Sequence, residues 1–247
     1  MVLKLIQDYA PNELGVVFDP KGPTFRADLF EAYKANRPPM PEDLAEQLPY
    51  IHRLAAAFGL PVLVEEGVEA DDVIGTLASQ AEALGRDVMI VTGDKDMAQL
   101  VNGHTFLLDT MKDRLIDEPA VRERWGVGPE AVPDFLALVG DKVDNIPGVP
   151  GVGEKTAAKL LQTYGSLEDL LARADELTGK TGERIREHAG QLRLNKDLTT
   201  IRCGLELDRT LADLTRGQKD TAELRELFGD LEFTSMRRAL GDDAEGD

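Results

Sequence analysis

The sequence predicts an α/β fold: a mostly parallel sheet with helices on both faces, followed by a helical subdomain. Apolar runs rich in Val, Ile and Leu alternate with helix-period segments through the first half of the 247 residues. Parallel strands need crossover connections, and intervening helices supply them. Beyond about residue 118 the strand signals stop and helical patterns separated by Gly and Pro turns take over.

The elements follow in order. GVVFD (15–19) is a strand closed by Asp19 and Pro20. In FRADLFEAYKANRPPMP (25–41), Pro38, Pro39 and Pro41 stop one helix before PEDL starts another. That next helix carries apolar residues at helical spacing from Leu44 to Phe58. PVLVEE (61–66) is a second strand, and EADDVIGTLASQAEALG places Val73, Ile74, Leu77, Ala81 and Leu84 on one helical face. DVMIVT (87–92) and HTFLLD (104–109) complete the strand set. EPAVRERWG, GPEAVPDFLALVG, EKTAAKLLQTYG, SLEDLLARADEL and TGERIREHAGQLRLNKDL then read as helices. The division expected is an α/β core over 1–117, a helical subdomain over 118–240 and a disordered acidic tail over 241–247.

Composition narrows the function classes. The lone Cys203 excludes an internal disulfide framework, and His52, His104 and His188 have no partners at zinc spacing. No apolar run approaches the roughly 18 residues of a membrane span, and the start has no signal-peptide pattern, so a soluble cytoplasmic protein is expected. The formal net charge of -18 opposes a broad nucleic-acid surface, so any DNA contact must rest on local basic patches.

The acids fall at telling places. Asp19 ends the first strand, Glu69, Asp71 and Asp72 open the helix after the second, and Asp94 and Asp96 in TGDKD follow the third. All lie at the edge where a parallel sheet binds ligands. Asp141 and Asp144, at i and i+3, are expected on one side of a helical turn. So many like charges cannot share one site as bare anions; protons or cations must join them. An all-oxygen donor set suits Mg²⁺ or Mn²⁺ better than zinc, and two such ions about 3.5–4 Å apart would serve phosphodiester cleavage. Each group also has a plainer reading. Asp71 and Asp72 would cap a helix, while Asp94, Asp96 and Asp19 would sit in turns. Their shared edge favours the site.

GVPGVGEKT is not a phosphate-binding P-loop, because Glu154 stands where the lysine belongs and no strand leads in. It reads as a turn between two helices. Gly148, Gly151 and Gly153 allow close backbone approach, and the N–H groups opening the helix at Glu154, Lys155 and Thr156 would donate to a phosphate whatever the base. In the 25–41 segment, Arg26, Lys34 and Arg37 supply cations and Tyr33 a stacking face, as a gate over the acidic edge would need.

VVFDPKGPTFR, EAYKANRPPMP, GVEADDVIGTLA, TGDKDMAQLV and GDKVDNIPGVPGVGEKTAAKLL together resemble, in order and spacing, the flap endonuclease family in the form of the 5'-nuclease domain of bacterial DNA polymerase I. The resemblance runs from residue 1 to about 240. It implies a PIN-like nuclease core with a helix-hairpin-helix DNA-binding motif, and metal-dependent cleavage of 5' flaps and 5' ends of duplex DNA in replication, primer removal and repair. It assigns Asp19, Glu69, Asp71 and Asp72 to a first metal cluster, and Asp94, Asp96, Asp141 and Asp144 to a second. Lys34 and Arg37 would act catalytically by steering the scissile phosphate, with Tyr33 and Arg26 near the DNA. Gly148 to Lys155, with Thr156, would grip the duplex backbone, with K⁺ at the turn. It further implies a monomer working at the nucleoid in the cytoplasm, away from membranes.

Family members begin with a hydrophobic strand ending in Asp-Gly, normally central in the sheet. Met1 aligns beyond it, so a shortened start lacking one carboxylate is expected. Nothing resembling proofreading or polymerase modules follows residue 240, and no DNA synthesis is expected. The alternative to a nuclease is a catalytically impaired, structure-selective duplex-binding module.

Overall fold

A computed structural model describes residues 1–242, so the predicted acidic tail lies, beyond Asp242, outside the described residues. In chain order the elements are α1 (Val2–Tyr9), β1 (Val16–Val17), α2 (Phe25–Leu29), α3 (Glu42–Ala57), β2 (Val62–Leu63), α4 (Ala70–Ala83), β3 (Val88–Val91), β4 (Thr105–Asp109) and β5 (Arg114–Ile116). Then come α5 (Glu118–Trp125), α6 (Val132–Val139), β6 (Gly140–Asp141), β7 (Ile146–Pro147), α7 (Glu154–Tyr164), α8 (Leu167–Ala172), α9 (Gly179–Glu187), α10 (Ala189–Thr199), α11 (Thr221–Asp230) and α12 (Thr234–Asp242).

These elements form two compact units, each built from separated stretches: 1–19, 38–65 and 207–247 in one, 20–37 and 66–206 in the other. In the first unit β1 and β2 pair in parallel, Val16 against Val62 and Val17 against Leu63. Its core is Ala57 of α3 against Leu224, Leu227 and Phe228 of α11 and Leu240 of α12. Gly59 ends α3 at φ +72, and the Gly217 N–H donates to its carbonyl at 2.8 Å. A side chain there would overlap the Gly217 backbone, so glycine is required on both counts.

The second unit holds the larger core, in which Ala78, Ile90, Met97 and Leu107 pack with Phe135, Leu136, Leu161 and Leu192. Residues on both sides of position 118 thus share one core. β3 and β4 pair in parallel over Val88–Val91 and Thr105–Leu108, as alternating strands and helices require. The predicted sheet is realised as short pieces, and β5 adds an antiparallel strand that the sequence reading did not include. β5 is only three residues long, too short to show alternation. The predicted helix over 181–198 divides at His188 into α9 and α10.

A second departure concerns Asp141 and Asp144. They lie on an antiparallel hairpin, β6 paired with β7, and not on a helical turn. Gly140 stops α6 at φ 81, where an L side chain is strained and would also overlap the backbone of Gly148. Asn145, at φ 59, turns the chain back into β7. Among the described residues no helix is long and apolar enough to cross a membrane.

Candidate metal and nucleic-acid site

Everything in this section except Asp19 belongs to the second unit. Its firmest feature is Arg26, at the start of α2 and 2% exposed. The guanidinium meets both oxygens of Asp72, Nη1 to Oδ2 at 2.6 Å and Nη2 to Oδ1 at 2.9 Å. It also donates to the carbonyls of Leu198 (2.8 Å) and Thr200 (3.0 Å). Asp72 in turn accepts from the backbone N–H groups of Glu69 and Arg202. Burial works against the charge of Arg26, but its bonds to Asp72 outweigh burial and hold its pKa above the usual value. The structure thus places Arg26 inside the fold and not at the surface position expected of a DNA-facing cation, and it leaves Asp72 wholly buried with both oxygens engaged.

Tyr33 is likewise no stacking platform. It is buried against Ile146 and Leu198, and its hydroxyl donates to Glu69 Oε2 at 3.2 Å and to Asp144 Oδ2 at 3.1 Å. Burial, then the charges of Glu69 and Asp144, drive its pKa far up and keep it a donor. One phenol therefore joins the predicted first acidic group to the second. Lys34, held at φ 55, reaches Glu69 Oε1 at 2.7 Å, and Arg37 Nη2 reaches Asp144 Oδ1 at 2.5 Å. The backbone is clamped too. Asn36 donates to the Lys142 carbonyl (2.6 Å), Asn145 to the Ala32 carbonyl (2.7 Å), and Lys34 N to the Asp144 carbonyl (3.0 Å). Six hydrogen bonds of side chains and backbone thus dock residues 32–37 onto the 142–145 turn.

The second group gathers where β3 gives way to the 3₁₀ turn Asp96–Leu100. Asp94 is exposed and accepts from Asp96 N–H at 2.8 Å. Lys95 Nζ bonds Asp141 Oδ2, while Asp141 Oδ1 accepts from Val143 N–H at 2.7 Å. Asp96 Oδ1 is buried without a hydrogen-bond partner, with Lys95 Nζ 3.7 Å away. Burial, with the charges of Asp94, Asp141 and Asp144 added, pushes the Asp96 carboxyl up to about 7 against the pull of Lys95. A cleft of about 490 Å³ beside Asp141 is walled by Phe30, Asn36, Lys142, Asn145 and Gly148.

As they stand, no three acidic, His or Cys side chains among the described residues are drawn together tightly enough to hold a metal ion. Their oxygens are taken by Lys34, Arg37 and Lys95 instead. The donor chemistry nonetheless fits a hard divalent cation, because Glu69, Asp94, Asp96, Asp141 and Asp144 offer only oxygen and Asp96 has a buried oxygen lacking a partner. Asp71 is half-buried in the first turn of α4, and Asp19 is exposed after β1 in the first unit. Lys95, Asn36 and Asn145 were not singled out from sequence. Lys95 stood inside the TGDKD motif, whereas the two amides gave no signal because each bonds a backbone carbonyl over a hundred residues away.

The glycine turn runs from β7 to the start of α7. A side chain on Gly148 would overlap the Val139 carbonyl, so this glycine serves packing. Gly151 sits at φ +78 beneath Arg184, whose Nη1 donates to the Pro150 carbonyl at 2.8 Å. Gly153 precedes α7 with open space around it, and Lys155 is exposed. Thr156 is half-buried, its N–H turned to the Gly153 carbonyl at 3.0 Å. Gly153 and Lys155 therefore lie open, while Gly148 is taken up in packing.

Comparison with known proteins matches residues 1–126 to the 5'-3' exonuclease N-terminal resolvase-like domain and residues 127–222 to the 5'-3' exonuclease C-terminal SAM fold. The chain is 51% identical over 241 residues to DNA polymerase I of Pseudomonas aeruginosa, covering 94% of this chain and 26% of that protein. It is 41% identical over 247 residues to DNA polymerase I of Mycobacterium bovis, covering 98% and 27%. The chain thus spans about a quarter of the length of the curated relatives it matches. Bacteriophage T5 5'-exonuclease with bound zinc superposes with a TM-score of 0.72 at 23% identity, over 81% of this chain and 79% of that one. The catalytic core of Rad2 in complex with DNA gives 0.54 at 14% identity, over 86% and 71%. These likenesses establish the shared fold.

Proposed function

Since the chain belongs to the 5'-3' exonuclease family, we propose that it hydrolyses DNA phosphodiester bonds at 5' flaps and 5' ends, with two divalent ions, Mg²⁺ or Mn²⁺, at its carboxylate edge. The observation that carries this reading is the Tyr33 hydroxyl between Glu69 and Asp144, because it joins the two acidic groups into one site. Glu69, Asp94, Asp96, Asp141 and Asp144 would hold the ions, with Asp71 retained as a candidate ligand. Bound there, divalent ions would lower the pKa of an attacking water and offset charge on the leaving oxygen. Lys34 and Arg37 are borne on the segment docked over the 142–145 turn, and once released from Glu69 and Asp144 they would meet the scissile phosphate. Tyr33 holds the two carboxylates at a fixed separation.

The turn from Gly151 to Lys155 would grip the backbone of the duplex away from the cut, with the open approach at Gly153, the N–H groups opening α7 and the Lys155 ammonium as donors. K⁺ at this turn belongs to the same proposal. The functional division would keep residues 1–117 as nuclease core and 118–240 as DNA-holding segment. Replication, primer removal and repair at the nucleoid, in a cytoplasmic monomer, would be its setting.

The test is a labelled 5'-flap duplex incubated with Mg²⁺ or with chelator, and Asp141→Asn as the control for contaminating nuclease. Metal-dependent cutting lost in the variant, with binding retained, supports the reading. Binding without cutting by folded wild-type chain refutes it in favour of a duplex-binding module.

A further inference from the structure

We propose that Lys95 is a tethered counter-cation of the Asp96 and Asp141 carboxylates, and that divalent-ion binding expels its ammonium into solvent. This rests on the metal reading above. Asp141 is 3% exposed, and its Oδ2 is capped by the Lys95 ammonium while Oδ1 is held by Val143 N–H. A buried carboxylate stays charged only where a counter-charge pairs with it. Lys95 provides it from the next turn of chain, and the same ammonium faces the unpartnered Asp96 Oδ1 at 3.7 Å.

The two cations compete. A divalent ion held by the Asp141 and Asp96 carboxylates would share its acceptor oxygens with the Lys95 ammonium and be repelled by that like charge. Binding is therefore an exchange. The geometry also says which cation leaves. The Lys95 side chain is 44% exposed on a flexible four-carbon stem, and an ammonium regains hydration readily. Arg26 is the contrast: 3% exposed and fixed by four hydrogen bonds, it cannot vacate Asp72. The structure thereby sorts the acids into one permanently neutralised carboxylate and others whose cations are removable.

Two measurements on the full chain test the exchange, neither of them an activity. The first is lysine acetylation read by mass spectrometry, in chelator and in Mg²⁺, with the exposed Lys142 as internal reference. Lys95 labelling should rise at least about threefold with Mg²⁺, as an ammonium released from a charged partner would, while Lys142 stays constant. The second is Mn²⁺ uptake by titration. Lys95→Ala should bind about tenfold more tightly, Lys95→Arg should not, and Lys142→Ala, an equal charge change beside Asp141, should stay within about twofold. Uptake of Mn²⁺ by wild type without a rise in Lys95 labelling, or weaker binding by Lys95→Ala, overturns the exchange and leaves the metal site standing. Absence of any Mn²⁺ uptake by folded wild type overturns both.

Discussion

Replacing Arg26 by Ala offers the sharpest check on the reassignment of that residue. The guanidinium makes four hydrogen bonds, two to Asp72 and two to the carbonyls of Leu198 and Thr200. Truncation leaves a wholly buried carboxylate without its cation and two carbonyls without a donor. Breaking one side of such a buried pair costs about 3–5 kcal/mol, because the partner's desolvation is no longer offset. Replacing both members, as Arg26→Met with Asp72→Leu, removes the stranded charge and should restore much of that loss. The assay follows from the sequence: Trp125 is the single tryptophan, packed edge-on to Phe135 at 5.2 Å in the same core, so its fluorescence in urea reports this unit's unfolding. DNA affinity against salt, measured on the same variants, should keep the wild-type slope. An Arg26→Ala chain within about 1 kcal/mol of wild type, with a slope reduced by about one, would return Arg26 to the DNA surface and refute the buried-hub argument.

Other consequences are as direct. Asp96 titrates at about 7 in the fold against an ordinary carboxylate value of 3.8, so the folded state binds more protons and stability falls as pH rises from about 4 through 7. With chelator present, Asp96→Asn should accordingly raise the unfolding free energy at pH 8, by about 1–4 kcal/mol, and change it little near pH 4; an equal effect at both pH values would contradict the burial of this charge. Gly148→Ala drives a methyl into the Val139 carbonyl and should lower stability by about 2 kcal/mol or more, read by the same fluorescence transition. Lys155→Ala should weaken binding to duplexes of any sequence alike and lower the salt slope by about one; an unchanged slope removes the phosphate contact at the glycine turn.

The available side-chain chemistry and much of the element order can be read from local sequence. Strand and helix periods are local, so β1 to β4, α3, α4 and α5 to α8 were legible from apolar spacing, with α9 and α10 read as one helix and α11 and α12 not read at all. The TGDKD and GDKVDNIPGVPGVGEKT motifs likewise marked a run of acids and a glycine-rich turn ahead of a helix, because these residues lie close together in the chain. Tertiary structure alone decided which charge faces which. Arg26 and Asp72 are 46 residues apart, and Tyr33 and Asp144 are 111 apart, so no local pattern could reveal that one arginine is buried on an acid or that one phenol spans two acidic groups. A cation near an acid reads alike in sequence whether it is solvated, structural or exchangeable. Burial separates these cases: the Arg26–Asp72 pair is desolvated on both sides, whereas the Lys34, Arg37 and Lys95 side chains keep partial access to solvent while they pair with their carboxylates.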